Sequence, residues 1–395
     1  MTPADRVSLL LIQSGDTFGT PERVVWELAT RLPASRYGVH AWLSPAPALD
    51  ELALTLDERG VAVERVAAIR SRWDVKGQAA AWKALRRTRP AIAHLHVAWP
   101  DLPRELPGLV RLAGAEHVIL TVQGRVTPAL PDLRPLLRAA DALTAPCGPA
   151  ASALAREAAV PRDRVRVVSN GADLPDEISE LPAARKLRER YGAGLRRPLW
   201  VCATRLEEGR GHDVLLEALA SLRARDLAFV AVLAGEGPRR VGLERRAAEL
   251  GFGDAVRFVG QVESLGPLLL AADAFVLPSR EEALPFRLLE AMARGRPVVV
   301  TDAGGIPEAV EDGVHGHVVP VGDVAALADA LASLHTRSDA ARRMGQRAAE
   351  RVRSAFTWAR IVEAYECLYD DVLGLTGFTP EGGAKQSRPS GARGR

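Results

Sequence analysis

The chain has 395 residues, 47% of them apolar and 26% charged, which excludes a disordered or collagen-like chain and at about 150 residues per domain implies two or three domains. The formal charge is +3, too weak for a nucleic-acid-binding surface, and the basic residues of 376–395 account for it. Arginines number 48 and lysines four; the skew reads as general compositional bias, except where single arginines fall at a site that suits phosphate.

Apolar runs at 7–12, 39–43, 61–66, 91–97, 118–122, 142–145 and 165–168 read as buried strands. Helix-like stretches at 22–32, 75–89 and 149–159 lie between them, and this alternation predicts a parallel sheet covered on both faces. The rhythm stops over 174–197. Pro175, Pro182, Gly192, Gly194 and a run of charges there predict a linker carrying a short helix. A second series follows, with strands at 199–204, 228–234, 256–259, 274–277, 298–301 and 317–319 and helices at 211–222, 241–250, 286–293 and 324–334. From Asp339 to Leu373 the pattern is helical throughout, with Trp358, Ile361, Ala364, Tyr365 and Leu368 as a face packed on the body. The Gly-, Pro- and Ser-rich residues 376–395 read as a disordered tail. The expected fold is α/β, two doubly wound domains with ligands at the carboxyl ends of the strands, in the cleft between them. The expected units are 1–173, a linker 174–197, 198–357, a last helix 358–375 and the tail 376–395.

Cys147, Cys202 and Cys367 form no C-x-x-C pair, so neither a disulfide framework nor a zinc site is expected, and a reducing cytoplasm fits. The apolar run at 7–12 is too short for a signal-peptide core, and no stretch approaches the length of a membrane span. Trp82, Lys83, Arg86, Arg87 and Arg89 lie on and after one helix. A solvated face is the preferred reading, with contact to an anionic membrane surface as the alternative.

The richest segment runs from Ala274 to Thr301. A strand ends at Leu277, a turn holds Glu282, and Pro285 stands where a helix starts, its missing N–H harmless there. Glu290 follows about one turn in. Free N–H groups at such a helix start suit a diphosphate, and the two carboxylates suit sugar or ribose hydroxyls. A second cluster, Cys202 to Asp213, brings Arg205 and Arg210 into a strand-to-helix turn. Two guanidiniums there suit a diphosphate clamp that takes up charge as the group leaves. A third, Ser14-Gly-Asp-Thr-Phe-Gly-Thr20, has Gly15 and Gly19 where backbone would approach a ligand closely. Neither this loop nor Gly235-Glu-Gly237, with Arg240 in the third glycine position, completes the dinucleotide fingerprint. His94 and His96 alternate on one strand face and read as core or tuning residues, since no third metal ligand is near. His315 and His317 read as surface.

In these blocks the chain resembles the family-4-type retaining glycosyltransferases of the GT-B fold. Glu282-Ala-Leu-Pro-Phe-Arg-Leu-Leu-Glu290 matches the family's E-x7-E motif. Ala291–Val298, Gly304-Gly-Ile-Pro-Glu308, Asn170-Gly-Ala-Asp173, Gly235-Glu-Gly-Pro238 and Pro21-Glu-Arg23 match further blocks, so the likeness spans nearly the whole chain except the tail. It implies two Rossmann-like domains facing a cleft, an acceptor-side one first and a nucleotide-sugar-binding one second, with the last helix crossing back. It implies that Glu290 holds the donor ribose and that Glu282 touches the transferred sugar beside the N–H groups of Ala283 and Leu284. Arg205 and Arg210 would bind the diphosphate, the Gly15–Gly19 loop would close over donor and acceptor, and Gly235 belongs to a donor-side block. The expected reaction is metal-independent transfer of a hexosyl unit, with retention, from a nucleotide diphospho-sugar such as a UDP- or GDP-sugar, with no cofactor. The acceptor would be a hydroxyl on a glycan, a lipid-linked or a small molecule, in bacterial surface glycan or glycolipid synthesis.

Three positions depart from the family pattern. Arg210 stands in the place of a lysine, Thr204 in that of a glycine, and Gln123 in that of a histidine. The resemblance keeps Gln123 among the catalytic positions if its main-chain carbonyl serves there; if the imidazole is needed, Gln123 supports a second reading, a catalytically weak pseudoenzyme that binds nucleotide sugar as a partner subunit. The E-x7-E block argues against a nucleotide-sugar epimerase of the same fold.

Overall fold

The computed structural model describes residues 6–13, 15–67, 74–98, 106–124, 134–336 and 338–375. The tail expected to be disordered, 376–395, lies outside them.

The first half contributes strands β1 (Val7–Gln13), β2 (Tyr37–Leu43), β3 (Ala62–Arg65), β4 (Ile92–Ala98), β5 (His117–Gln123), β6 (Ala142–Ala145) and β7 (Val165–Val167). All pair in parallel, in the order β3-β2-β1-β4-β5-β6-β7. The second half contributes β8 (Leu199–Ala203), β9 (Val230–Ala234), β10 (Val256–Gly260), β11 (Ala274–Leu277), β12 (Val298–Thr301) and β13 (Gly316–Val319), again all parallel, ordered β10-β9-β8-β11-β12-β13. The strand order reverses between β1 and β4 and between β8 and β11, the switch points where doubly wound sheets open a crevice.

The helices interleave with the strands. They are α1 (Thr20–Arg31), α2 (Asp50–Glu58), α3 (Val75–Thr88), α4 (Leu106–Leu112), α5 (Arg134–Ala139), α6 (Gly148–Ala158) and α7 (Glu177–Tyr191), then α8 (His212–Ala224), α9 (Arg240–Glu249), α10 (Gly266–Ala271), α11 (Phe286–Ala293), α12 (Ile306–Ala309), α13 (Val324–Thr336), α14 (Ser338–Ala355) and α15 (Trp358–Val372). Strands covered on both faces must be apolar on both. In β1, Leu10 and Ile12 enter one core with Leu95 and Leu120, while Leu9 and Leu11 enter another with α1 and α15.

One element is longer than the sequence reading had it. The segment over 174–197 holds a 15-residue helix, α7. It is capped by Asp176 and Gly192 and is pinned to the second half by Arg294 Nε on Glu180 at 2.8 Å and by Arg188 on the Ala271 carbonyl at 2.6 Å. The helical pattern from Asp339 is interrupted at Phe356 and Thr357, where the last helix was expected to begin, and α15 starts at Trp358. There the Phe356 carbonyl accepts from Ala172 N at 2.8 Å, and Thr357 bridges Ala172. The break lets α15 lie on the first half, with Trp358, Ile361, Tyr365 and Tyr369 buried against Leu11, Val25 and Leu28. Arg36 pairs with Asp370, and Arg166 with Asp371.

Candidate active site

The carboxyl ends of the two sheets face one another. After β7, Asn170 Nδ2 donates to the Leu284 carbonyl beyond β11 at 2.6 Å. After β6, the Gly148 N–H donates to Glu308 beyond β12 at 2.8 Å. After β1, Arg23 in the first turn of α1 pairs with Glu290 of α11, Nη1 to Oε1 at 2.5 Å.

Glu282 lies in the turn between β11 and α11. Its Oε1 accepts from Arg210 Nη1 at 2.5 Å and from Ser279 Oγ at 2.9 Å. Arg210 also lies 3.2 Å from Glu207 Oε1, and Arg205 Nε lies 3.1 Å from Glu207 Oε2. Glu207 thus joins the two arginines, and the turn after β8 meets the turn after β11. Burial disfavours the Arg210 charge, but the carboxylates of Glu282 and Glu207 more than restore it. Arg205 is the open member, its side chain 66% exposed.

Two glycines set the close approach of these turns. Gly304 has φ +55°, and a Cβ there would stand 1.7 Å from the Glu282 carbonyl oxygen. Gly235 has φ +147°, and a Cβ there would stand 2.0 Å from the Thr204 carbonyl, just before Arg205. Both backbones are in the left-handed region that side chains avoid. Gly235 therefore supports the arginine turn by packing beneath it. The carbonyl of Ala283 accepts from Gly305 N at 2.8 Å, and both Ala283 and Leu284 are buried.

Glu290 sits in the second turn of α11, with Oε2 2.9 Å from Arg287 Nη1. Burial pushes its carboxyl up, but Arg23 and Arg287 outweigh burial and hold it below the usual range. In the loop after β1, Gly19 N donates to Glu22 Oε2 at 2.7 Å, and Gln13 Nε2 donates to Glu22 Oε1 and to the Gly15 carbonyl. A Cβ on Gly15 would meet Glu22 Oε1 at 2.9 Å. The loop is therefore wrapped on one buried carboxylate, which burial raises above its usual pKa.

Gln123 ends β5, 1% exposed, and its amide finds no hydrogen-bond partner among the described residues. It is not joined to the arginine cluster. His96, one strand over, has both ring nitrogens likewise unpartnered. His94 stacks on His96 with ring centroids 3.9 Å apart, and its nitrogens reach Tyr369 and Thr121. The core reading of this pair agrees with the structure. The surface reading fails for His315, which is buried and accepts from Glu311 N at 3.0 Å. On α3, Trp82 packs against the core, Arg86 lies over its ring, and Arg87 pairs with Glu64.

Sequence reasoning gave no role to Glu207, Ser279, Arg287, Gln13 or Glu22. It also passed over His212, whose Nε2 lies 3.1 Å from Thr204 Oγ1. Glu207 and His212 stood inside a segment already singled out, but spacing alone does not say which side chains meet. Among the described residues no group of three or more His, Cys, Asp or Glu is placed to hold a metal ion.

Burial brings His96 down to about 3, and burial with Arg210 brings His212 down to about 4, from 6.5. The unfolded chain then binds protons that the folded chain refuses, so stability rises with pH through this window and is lost as pH falls from about 6.5. Each such histidine costs about 1.4 kcal/mol per pH unit below that point. Urea midpoints measured from pH 7.5 to 5 are expected to drop, and His96→Leu to flatten the slope. Glu22 and Glu27, raised by burial, act oppositely in both proteins and cancel in the difference, which reports His96 together with its effect on His94, stacked on it and also lowered chiefly by burial. An unchanged slope in His96→Leu contradicts a neutral buried imidazole.

Residues 21–175 match the family described as Glycosyltransferase Family 4, and residues 184–351 match Glycosyl transferases group 1. The chain is 35% identical over 275 residues to a GDP-mannose-dependent alpha-(1-6)-phosphatidylinositol monomannoside mannosyltransferase of Mycobacterium tuberculosis, covering 63% of this chain and 68% of that one. It is 31% identical over 188 residues to N-acetyl-alpha-D-glucosaminyl L-malate synthase of Bacillus anthracis, covering 48% of this chain and 49% of that one. Among solved structures, a Rickettsia africae glycosyltransferase superposes with TM-score 0.80 at 17% identity, covering 94% of this chain and 100% of that one. Anabaena HepE in complex with UDP and glucose superposes with TM-score 0.77 at 19% identity, covering 92% and 100%.

Proposed function

Because the chain belongs to glycosyltransferase family 4, of the GT-B type, and is a glycosyltransferase, we propose that it moves a hexosyl unit from a nucleotide diphospho-sugar to a hydroxyl acceptor with retention of configuration. The observation that carries this reading is the pairing of Glu282 with Arg210 and of Glu290 with Arg23 where the two sheets face each other. Glu290 takes the donor ribose and Glu282 the hydroxyls of the transferred sugar, beside the N–H groups of Ala283 and Leu284. Arg205 and Arg210 bind the diphosphate, with Gly235 supporting their turn. The loop Gly15–Gly19 closes over donor and acceptor.

In the reaction the bond from the anomeric carbon to the phosphate oxygen breaks, and the acceptor oxygen bonds to that carbon on the same face. The acceptor proton passes to the departing phosphate. The two guanidiniums take up the developing charge, work that would otherwise fall to a metal ion. Residues 1–173 serve the acceptor and 198–357 the donor, with 174–197 between them and 358–375 returning to the first domain.

The relatives named as using GDP-mannose and phosphatidylinositol monomannoside support a sugar nucleotide donor and a setting in bacterial glycolipid or surface glycan synthesis. The free thiols of Cys147, Cys202 and Cys367 support the cytoplasm as its compartment. For α3 the solvated face stays the preferred reading, and in the alternative Lys83 and Arg86, both exposed, meet anionic lipid. Proton NMR of the product tests the main reading: the coupling constant at the new anomeric position should match that of the donor, and an inverted configuration overturns retention. The buried amide of Gln123, without a hydrogen-bond partner among the described residues, favours the second reading, a nucleotide-sugar-binding subunit without turnover, which release of nucleoside diphosphate by the purified chain excludes.

A further inference from the structure

Glu290 is gripped from two sides. Arg287 of its own helix holds Oε2, and Arg23 of the opposite half holds Oε1. Arg23 is itself fixed in place. Its guanidinium lies 4.7 Å from the centroid of the Phe286 ring, and its Nε lies 3.5 Å from the buried Glu27. Phe286 packs in turn on Trp358 of α15, with centroids 5.8 Å apart. The neighbouring residue in the same turn, Glu22, points the other way and holds the Gly15–Gly19 loop. One turn of α1 therefore touches both the loop after β1 and the carboxylate on α11.

A carboxylate has about four lone-pair sites. The two guanidiniums use one on each oxygen, which leaves one acceptor on each. Two acceptors on one ionised carboxylate match the two hydroxyls of a vicinal diol. A carboxylate's last torsion is otherwise broad, and fixing it beforehand lowers the ordering cost of binding.

We propose that Arg23 is a positioning residue, which presents the Glu290 carboxylate to the ribose diol of a nucleoside diphosphate and does so from the domain opposite the nucleotide. The proposal rests on the reading of Glu290 given above. Arg23 acts through Glu290 and need not touch the nucleotide. Closure of the cleft is then coupled to recognition of the ribose, since the grip needs both halves.

Calorimetric titration tests it with UDP and GDP, each against its 2′-deoxy counterpart, on the wild type, Arg23→Ala, Arg23→Gln and Glu290→Gln. The wild type is expected to prefer the ribonucleotide by about tenfold, the worth of one charge-assisted hydrogen bond. Glu290→Gln should lose that preference, and Arg23→Ala should reduce it to about twofold or less. A merely structural role would weaken both nucleotides alike and leave the preference intact. Should Arg23→Ala fail to fold, Arg23→Gln, close in length and uncharged, carries the same expectation. An undiminished preference in the folded Arg23 variants overturns the proposal while leaving the role of Glu290 standing. So does tighter ribonucleotide binding, which would make Arg23 a competitor. A wild type that binds neither nucleotide overturns the reading of the site itself and the proposal with it.

Discussion

Glu290→Gln is expected to lower transfer by at least about a hundredfold. Two hydroxyls donating to an ionised carboxylate contribute about 1.5–3 kcal/mol each, and 1.4 kcal/mol is a factor of ten. The amide keeps one acceptor oxygen, and its NH₂ would face Arg23 or Arg287, both donors. One of the two grips must fail whichever way the amide turns. The arginines themselves reach solvent, with side chains 20% and 48% exposed, so they are not stranded as buried charges. The stability loss should therefore stay below the roughly 3–5 kcal/mol of a fully buried broken pair. Circular dichroism and a transfer assay on the same sample separate the two effects. Wild-type kcat/KM in a folded Glu290→Gln removes Glu290 from the site.

Arg205→Ala is the second large expectation, and the cleaner one. Its side chain is 66% exposed and its ion pair with Glu207 is half open, an interaction worth less than about 1 kcal/mol. Thermal stability should barely move. Transfer should fall by about 10²–10³, the cost of removing one group that stabilises developing charge. The loss should appear mainly in kcat, since the charge on the departing diphosphate grows towards the transition state. Arg210→Ala makes a useful contrast. It would leave the Glu282 side chain, 8% exposed, with Ser279 as its remaining hydrogen-bond partner here. Stability and transfer should then fall together. An Arg205→Ala protein with unchanged kcat contradicts the clamp.

The sheets were legible because their strands are covered on both faces, which forces short apolar runs such as Leu9–Ile12 and Val298–Val300. The helix α2 was not, since burial of Leu52 and Leu56 alone leaves too sparse a stripe to stand out. The start of the last helix at Trp358 was legible from its apolar face, but the contact of Phe356 with Ala172 on the other half, which fixes the break there, was not. The two carboxylates and two arginines were legible as residue types at the ends of strands. Their partners were not. Arg23 and Glu290 are 267 positions apart, and no periodicity links them. Glu207 lay in plain view between Arg205 and Arg210, yet spacing did not reveal that it bridges them. The resemblance singled out Gln123, but only the structure shows its amide buried, with no partner among the described residues.

The turns after β8 and β11 are proposed to hold a nucleotide diphospho-sugar. The most direct test is thermal unfolding of the purified chain with a panel of UDP- and GDP-hexoses, beside Glu290→Gln. A donor at a hundred times its Kd stabilises the native state by about 2.7 kcal/mol, which should raise the wild-type midpoint by about 2 °C or more. Such a rise is expected with at least one donor, and its loss in Glu290→Gln. A panel in which no nucleotide sugar moves the wild-type midpoint, or in which the variant responds as the wild type does, would contradict the proposal.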